Sequence, residues 1–384
     1  MRILHVITRL ILGGAQQNTV MSCAAQVAAG HDVHLAYGPI HGPEGSLLDE
    51  TKASGATLHE IPSLVREISP IKDLRCYSHL KKVIREIEPD LIHTHSSKAG
   101  IVGREAAWRT RQTLFGQRKR PVIAHTIHGL PFNDLQKRSK RDTFIFVEFL
   151  HAHFCDHLIA ITEAMVDAFV DKKIASRDKF TVIPSGVDLD RFARQSPKLE
   201  NPDHPPTIGL VARLDPLKGH RDLIAALPRI VDAVPNARVV FVGDGFDREA
   251  VLSAIEASPK RRQIELKNLV PFDEMPAVYH DLDVCVLPSY QEGQSRVLVE
   301  ALAAGCAIVG YDVGGIPEVC VHEKTGLLVP VGDTDALADA IVRILTDSEL
   351  RQRTVAAGQA HVRENFSAEK MNRELLELYD RLLA

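Results

Sequence analysis

VCVLPSYQEGQSRVLVEALAAGCAIVGYDVGGIP, residues 284–317, is the stretch from which the rest of the chain is read. It opens on a short apolar run, Val284 to Pro288, which predicts a buried strand bounded by Pro and Ser. A polar turn follows, and Val297 to Ala304 predicts an apolar, Ala-rich helix stopped by Gly305. Ser295 is placed to cap that helix, so the amides of residues 295–298 are expected to point into the crevice above the strand. A helix opening of this kind is ready to hold an anion. Two carboxylates bracket it: Glu292 in the turn and Glu300 about one turn into the helix. One acid beside phosphate-facing amides and one deeper on the same side suit a sugar nucleotide, whose hydroxyl groups need acceptors on either side of a diphosphate.

The glutamate spacing alone would also fit a strand-loop-helix unit with two solvated acids. The surrounding residues decide against that. EGQSRVLVEALAAG followed by GYDVGGIPE resembles the donor-site signature of the retaining glycosyltransferases of family 4, which have the GT-B fold. Further segments that resemble the family's motifs occur in order from residue 13 to the C-terminal helix.

A chain of 384 residues is long for one domain and comfortable for two. With 45% hydrophobic and 25% charged residues, it has the composition of a soluble globular protein. No apolar run approaches the ~20 residues that span a bilayer. MRILHVIT enters a strand-like run with no leader pattern, and the six cysteines have no metal spacing. They read as buried thiols of a reducing compartment, so a cytoplasmic location is expected.

The alternation along the chain predicts two doubly wound α/β halves. In the first, expected as residues 1–192, Arg2–Thr8 is a strand, RLILGG a loop and Ala15–Ala29 a helix. GxGxxG is absent, so this is not the dinucleotide fingerprint. GGAQ instead resembles the family 4 loop that approaches the donor phosphates and the acceptor, which singles out Gly14. Further strands are expected at His31–Tyr37, Asp90–Thr94, Pro121–Thr126, His157–Ile161 and Thr181–Pro184. HTHSS (93–97) and HTIHG (125–129) stand at strand ends. Their histidines lack a carboxylate or thiol that would complete a metal set, so no metal is expected. His128 resembles the family's active-site histidine near the donor sugar. For His93 and His95, lining the acceptor side and a structural role stay open.

IPSGVDLDRF (183–192) resembles the family's pre-linker motif, with Ser185 where Asn is usual, and the polar, Pro-rich residues 193–206 read as the linker. The second half, 207–366, restarts with TIGLVARLDPLKGH. Arg213 and Lys218 sit at a strand's carboxyl end ahead of a helix, a placement that suits a diphosphate and matches the family's Arg-x4-Lys motif. IELKNLVPFDEMPAVYH (264–280) resembles the segment framing the nucleobase around Leu269 and Val270, with Asn268 where Gly is usual. The last helix, Ala368 to Leu383, is amphipathic. The resemblance implies that residues 367–384 cross back to the first domain.

As a whole the resemblance implies two Rossmann-like domains facing across a cleft and metal-independent, retaining transfer from a nucleotide sugar to a hydroxyl acceptor. No cofactor is expected; the nucleotide sugar is a substrate. Arg213, Lys218 and the amides of Gly293, Gln294, Ser295, Arg296 and Val297 would stabilise charge on the leaving diphosphate. Glu300 would hold the ribose, and Glu292 the hydroxyl groups of the transferred sugar. His128 would position that sugar. UDP is the family's commonest nucleotide. A phosphorylase of the same fold would need pyridoxal phosphate on a lysine, for which the chain is short and carries no motif. An epimerase fits the Arg-Lys and Glu-Glu pairs less well, and a non-catalytic binding subunit would not need all five polar residues.

Charge is uneven. Residues 1–195 hold 26 Lys+Arg against 21 Asp+Glu, and the remainder 20 against 29. Between Lys98 and Arg141 stand 11 basic residues against Glu105 and Asp134, and Phe144, Ile145, Phe146, Val147, Phe149 and Leu150 follow directly. One reading is an anionic membrane surface bound at a lipid-linked or lipopolysaccharide-type acceptor; the other is a core helix with solvated basic ends. Nucleic acid is not expected, since no aromatic-interleaved module accompanies the basic residues.

Overall fold

The computed structural model describes residues 1–40, 45–113, 120–133, 135–194 and 205–384. Most of the expected linker, with Arg118, Lys119 and Asp134 of the basic region, lies outside the described residues. The chain divides into two compact units, one of Met1–Gly186 with Ala368–Ala384, the other of Val187–Ser367.

In the first unit the strands are β1 (Arg2–Ile7), β2 (Asp32–Tyr37), β3 (Thr57–Glu60), β4 (Leu91–His95), β5 (Val122–Ile127), β6 (His157–Ala160) and β7 (Phe180–Val182). They form one parallel sheet in the order β3-β2-β1-β4-β5-β6-β7. The edge strand β3 was not anticipated. TLHE is short, half-exposed and without an apolar run, so only its ladder to β2 marks it as a strand. Side chains alternate between faces, as the strand period requires. Leu4 and Val6 pack with the helices Pro70–Ile87 and Ser97–Thr113, while Ile3 joins Leu91, Ala124, Ile159 and Ile183 beneath the last helix. That helix, Ala368–Leu383, buries Met371, Leu375, Leu378 and Tyr379 there, and so belongs to this unit.

The second unit holds β8 (Thr207–Val211), β9 (Arg238–Val242), β10 (Ile264–Lys267), β11 (Val284–Leu287), β12 (Ala307–Tyr311) and β13 (Leu327–Val329). The sheet is again parallel, ordered β10-β9-β8-β11-β12-β13. Val284 and Val286 face the helices His220–Ala233 and Thr334–Thr346, whereas Cys285 and Leu287 face the helix Arg296–Ala303. All six cysteines are free and buried.

The boundary differs from the expected one. Residues 187–192, placed in the first domain by the sequence, pack with the second. Val187 donates its amide to Phe366 O at 2.9 Å, and Val187, Leu189 and Phe192 are buried among Tyr279, Leu298 and Leu302. Apolar anchoring, rather than the onset of polar, Pro-rich sequence, sets the division. Each sheet has one point where strand order reverses, between β1 and β4 and between β8 and β11. Ligands of doubly wound sheets bind outside the carboxyl ends at such a point.

Candidate functional site

At the second unit's reversal point, the loop after β8 carries Arg213 and Lys218 and the loop after β11 carries Glu292. Two glycines bring these loops close. Gly219 has φ +68°, and a Cβ there would lie 2.0 Å from Pro288 O; Gly314, at φ +56°, would meet Glu292 O at 2.2 Å. Neither position takes a side chain without backbone movement. With the loops held so, Lys218 Nζ forms an ion pair with Glu292 Oε1, and Ser289 Oγ donates to the same oxygen at 3.1 Å. Both charged side chains are mostly buried, and Arg213, in the same loop as Lys218, is exposed.

The helix opens at Arg296 with Ser295 as its cap, the hydroxyl accepting from Leu298 N at 3.3 Å. Gln294 and Ser295 are buried, which seats the helix start at the sheet edge. Glu300 is buried one turn in. It accepts from Tyr279 Oη at 2.8 Å and pairs with Arg296 at 3.8 Å. Burial lifts the Glu300 carboxyl above its ordinary range, an effect that Arg296 and the Tyr279 hydroxyl oppose. Burial also pushes the Tyr279 hydroxyl well up, so that it stays a donor. Leu269 is exposed after β10, and Val270 is partly buried on the same core as Tyr279. Tyr279 and Ser289 were not singled out from sequence: their partners lie on other elements, and no local spacing marks them.

The first unit carries a second polar group. Gly14 starts the helix Gly14–Ala28 directly after β1. At the carboxyl ends of β1, β4 and β5 a row of imidazoles is interlocked. His5 Nδ1 lies 2.9 Å from His95 Nε2, and His95 Nδ1 lies 3.1 Å from His128 Nε2. His5 Nε2 reaches Gln26 Oε1 at 2.8 Å; His93 lies between Tyr379 Oη (2.5 Å) and Thr126 Oγ1 (2.6 Å). Burial depresses His93 and His95 well below the ordinary histidine value and His5 to about 4, so these rings are neutral at pH 7. Ligand atoms of His5, His93 and His95 come within 4.8 Å of one another, but the hydrogen bonds just given already engage every ring nitrogen of the three. His5 and Gln26 lie on separate elements and were not anticipated.

Residues 12–191 match the family described as Glycosyltransferase Family 4, and residues 191–361 match Glycosyl transferases group 1. The UDP-Gal:alpha-D-GlcNAc-diphosphoundecaprenol alpha-1,3-galactosyltransferase of Escherichia coli is 28% identical over 364 residues, 91% of this chain and 89% of that one. D-inositol 3-phosphate glycosyltransferase of Corynebacterium efficiens is 31% identical over 316 residues, covering 76% and 71%. Among solved structures, Anabaena HepE in complex with UDP superposes with a TM-score of 0.79 at 18% identity, over 99% of this chain and all of that one. The fold is GT-B, the α/β architecture that the resemblance implied.

Proposed function

Because this chain belongs to glycosyltransferase family 4 and acts on nucleotide sugars, we propose that it is a retaining, metal-independent transferase that moves a sugar from UDP to a hydroxyl of a lipid-linked or other glycan acceptor. The observation that carries this reading is the Lys218–Glu292 pair beside the Ser295-capped helix start, at the strand-order reversal of the second sheet. A cation, a carboxylate and a helix opening held together are what a sugar diphosphate calls for. UDP and a diphosphoundecaprenol acceptor are supported by the activity for which the E. coli relative is named.

In this mechanism Arg213, Lys218 and the amides of residues 293–297 stabilise charge as it grows on the leaving diphosphate. Glu300, its far side fixed by Tyr279, takes the ribose. Glu292 takes hydroxyl groups of the transferred sugar, Leu269 flanks the base, and Gly14 allows the backbone to approach the substrates. His128 is assigned to the sugar. The acceptor proton passes to the leaving phosphate oxygen, so no separate base is needed. Metal independence is supported by the engaged nitrogens of the histidine row and by the two cations, Arg213 and Lys218, that this reading assigns to the phosphates.

The roles of the two glutamates separate by calorimetry. Glu300→Gln is expected to weaken UDP and a UDP-sugar alike, by about tenfold, as for a charge-assisted hydrogen bond. Glu292→Gln is expected to leave UDP binding within about twofold while weakening the UDP-sugar and the turnover. Equal losses of UDP affinity in both would contradict the assignment. A thermal-shift screen of UDP-, GDP- and ADP-sugars tests the choice of nucleotide.

The acceptor side rests on the helix Arg138–Ala152. It is not a buried core helix all round: Phe146 is 59% exposed, Phe149 and Leu150 about 40%, and nearby Leu135 63%. Lys137, Arg138 and Lys140 are exposed next to them. Among the described residues no helix is long and apolar enough to cross a membrane. Exposed aromatics flanked by cations fit the face of an anionic bilayer, where each cation contributes about 1 kcal/mol. Co-sedimentation with phosphatidylglycerol vesicles is expected to rise with anionic lipid and fall with salt. No binding at low salt would favour a soluble acceptor.

A further inference from the structure

Tyr290 stands two residues before Glu292 and holds the Lys218 loop on both sides. Its amide donates to Leu217 O at 2.9 Å, directly before Lys218. Its hydroxyl donates to Asp222 Oδ2 at 2.8 Å, four residues after Lys218. Asp222 lies in the first turn of the helix His220–Ala233, where the free amides favour a negative charge. Along the chain, Lys218 is thus flanked by two hydrogen bonds that both come from Tyr290, while its own side chain pairs with Glu292.

The same carboxylate oxygen accepts from a second phenol. Tyr311 ends β12, is fully buried, and donates to Asp222 Oδ2 at 2.6 Å. The two rings meet edge to face with centroids 5.9 Å apart. Burial, and after it the hydrogen bond to Asp222, raises both hydroxyls above the ordinary tyrosine range, so both stay donors at neutral pH. Tyr311 belongs to the core that holds Val284, Val309 and Leu337. It fixes the Asp222 carboxylate to that core, and the carboxylate passes the constraint on to Tyr290. Packing does not do this alone. Tyr290 rests on the core on one side, and on the other lines a pocket of about 270 Å3 with Gly219, Asp222 and Asp247. That space leaves the ring room to move once its hydroxyl is released.

We propose that Asp222 and Tyr290 are positioning residues that hold Glu292 in place against Lys218, with Tyr311 as their anchor in the core. This rests on the assignment of Lys218 and Glu292 to the nucleotide sugar. A lysine on a flexible stem and a glutamate on a loop meet a substrate together only where both backbones are fixed. A misplacement of about 1 Å costs up to about 10²-fold in rate. The ion pair cannot supply that constraint during turnover, because the substrate competes for both partners. The Asp222 bracket can, since neither of its residues is assigned to the donor.

Tyr290→Phe removes one oxygen and keeps the ring. It is measured with whichever of the UDP-, GDP- and ADP-sugars raises the melting temperature most, and with the matching bare nucleotide. Acceptor-free hydrolysis at saturation is expected to fall about tenfold, and the sugar nucleotide to bind more weakly. Affinity for the bare nucleotide is expected to stay within about twofold, the same pattern as for Glu292→Gln. Asp222→Asn, which keeps an acceptor oxygen, is expected to retain most of the rate, and Asp222→Leu to lose at least as much as Tyr290→Phe. The decisive reading is the double variant Tyr290→Phe with Glu292→Gln. Because the bracket acts through Glu292, Tyr290→Phe is expected to add less than about twofold to the loss in Glu292→Gln, whereas independent effects multiply. Multiplied losses, or a Tyr290→Phe loss that only follows the folded fraction in urea, would reduce the bracket to packing and overturn the proposal. A wild-type rate in Tyr290→Phe would overturn it as well. Failure of the donor assignment looks different: Lys218→Ala and Glu292→Gln would then both hydrolyse the donor at the wild-type rate.

Discussion

Replacing Arg213 with alanine is expected to lower the transfer rate roughly 10²–10³-fold while leaving the protein folded, and Lys218→Ala is expected to do the same. Each residue would contribute a positive charge where negative charge grows in the transition state. One such contact in a preorganised site carries about 3–4 kcal/mol of stabilisation that appears only as the bond breaks. Arg213 is exposed, so its removal disturbs no packing. Lys218 is tied to Glu292, and its loss leaves a carboxylate that is 14% exposed without that cation. Ser289 Oγ, in the same loop, still donates to it. Lys218→Ala is therefore expected to cost a little stability as well, and Arg213→Ala none. Acceptor-free hydrolysis of a UDP-sugar, measured beside thermal unfolding, separates the two effects. Turnover near wild type in both variants would remove the diphosphate from this loop.

What was legible in the sequence follows from what is local. The strand Val284–Leu287, the Ser295 cap and the helix after it stand close together in the chain, and each is set by its own neighbours. The doubly wound architecture was legible for the same reason, since alternating apolar runs report the strands one at a time. What escaped were pairings across long separations. Tyr279 reaches Glu300 from another helix, and His5 reaches His95 across 90 residues. A single sequence gives the residues of such a pair but not their meeting. The boundary at Gly186 was misplaced because polarity marks a linker, whereas Val187, Leu189 and Phe192 are claimed by the second core. The aromatic segment after Lys140 shows the limit of composition. Its apolar residues predicted either a core or a membrane helix, but one of the two residues it buries is a glutamate, Glu148, beside Ala152.

That glutamate gives the largest expected effect on stability. Glu148 and Arg104 have side chains 4% and 0% exposed, and Arg104 Nη2 donates to Glu148 Oε2 at 2.9 Å. Arg104 Nε donates to Gly100 O at 2.9 Å, and its Nη1 has no hydrogen-bond partner among the described residues. The guanidinium thus depends on Glu148 for compensation of its charge. Glu148→Ala strands it in the core and is expected to destabilise the protein by about 3–5 kcal/mol. Replacing both residues, Arg104→Met with Glu148→Leu, removes the stranded charge and is expected to recover most of that loss, because a buried pair barely outweighs its own desolvation. Urea unfolding of the two single variants and the double variant measures this. A loss below about 1 kcal/mol in Glu148→Ala would mean that water reaches the pair. The pair also joins the helix that follows His93 and His95 to the helix that displays Phe146 and Phe149. If the exposed aromatics bind a bilayer only from a fixed helix, Glu148→Ala should lose vesicle binding along with stability. The double variant, with the same exposed face and no stranded charge, should keep it.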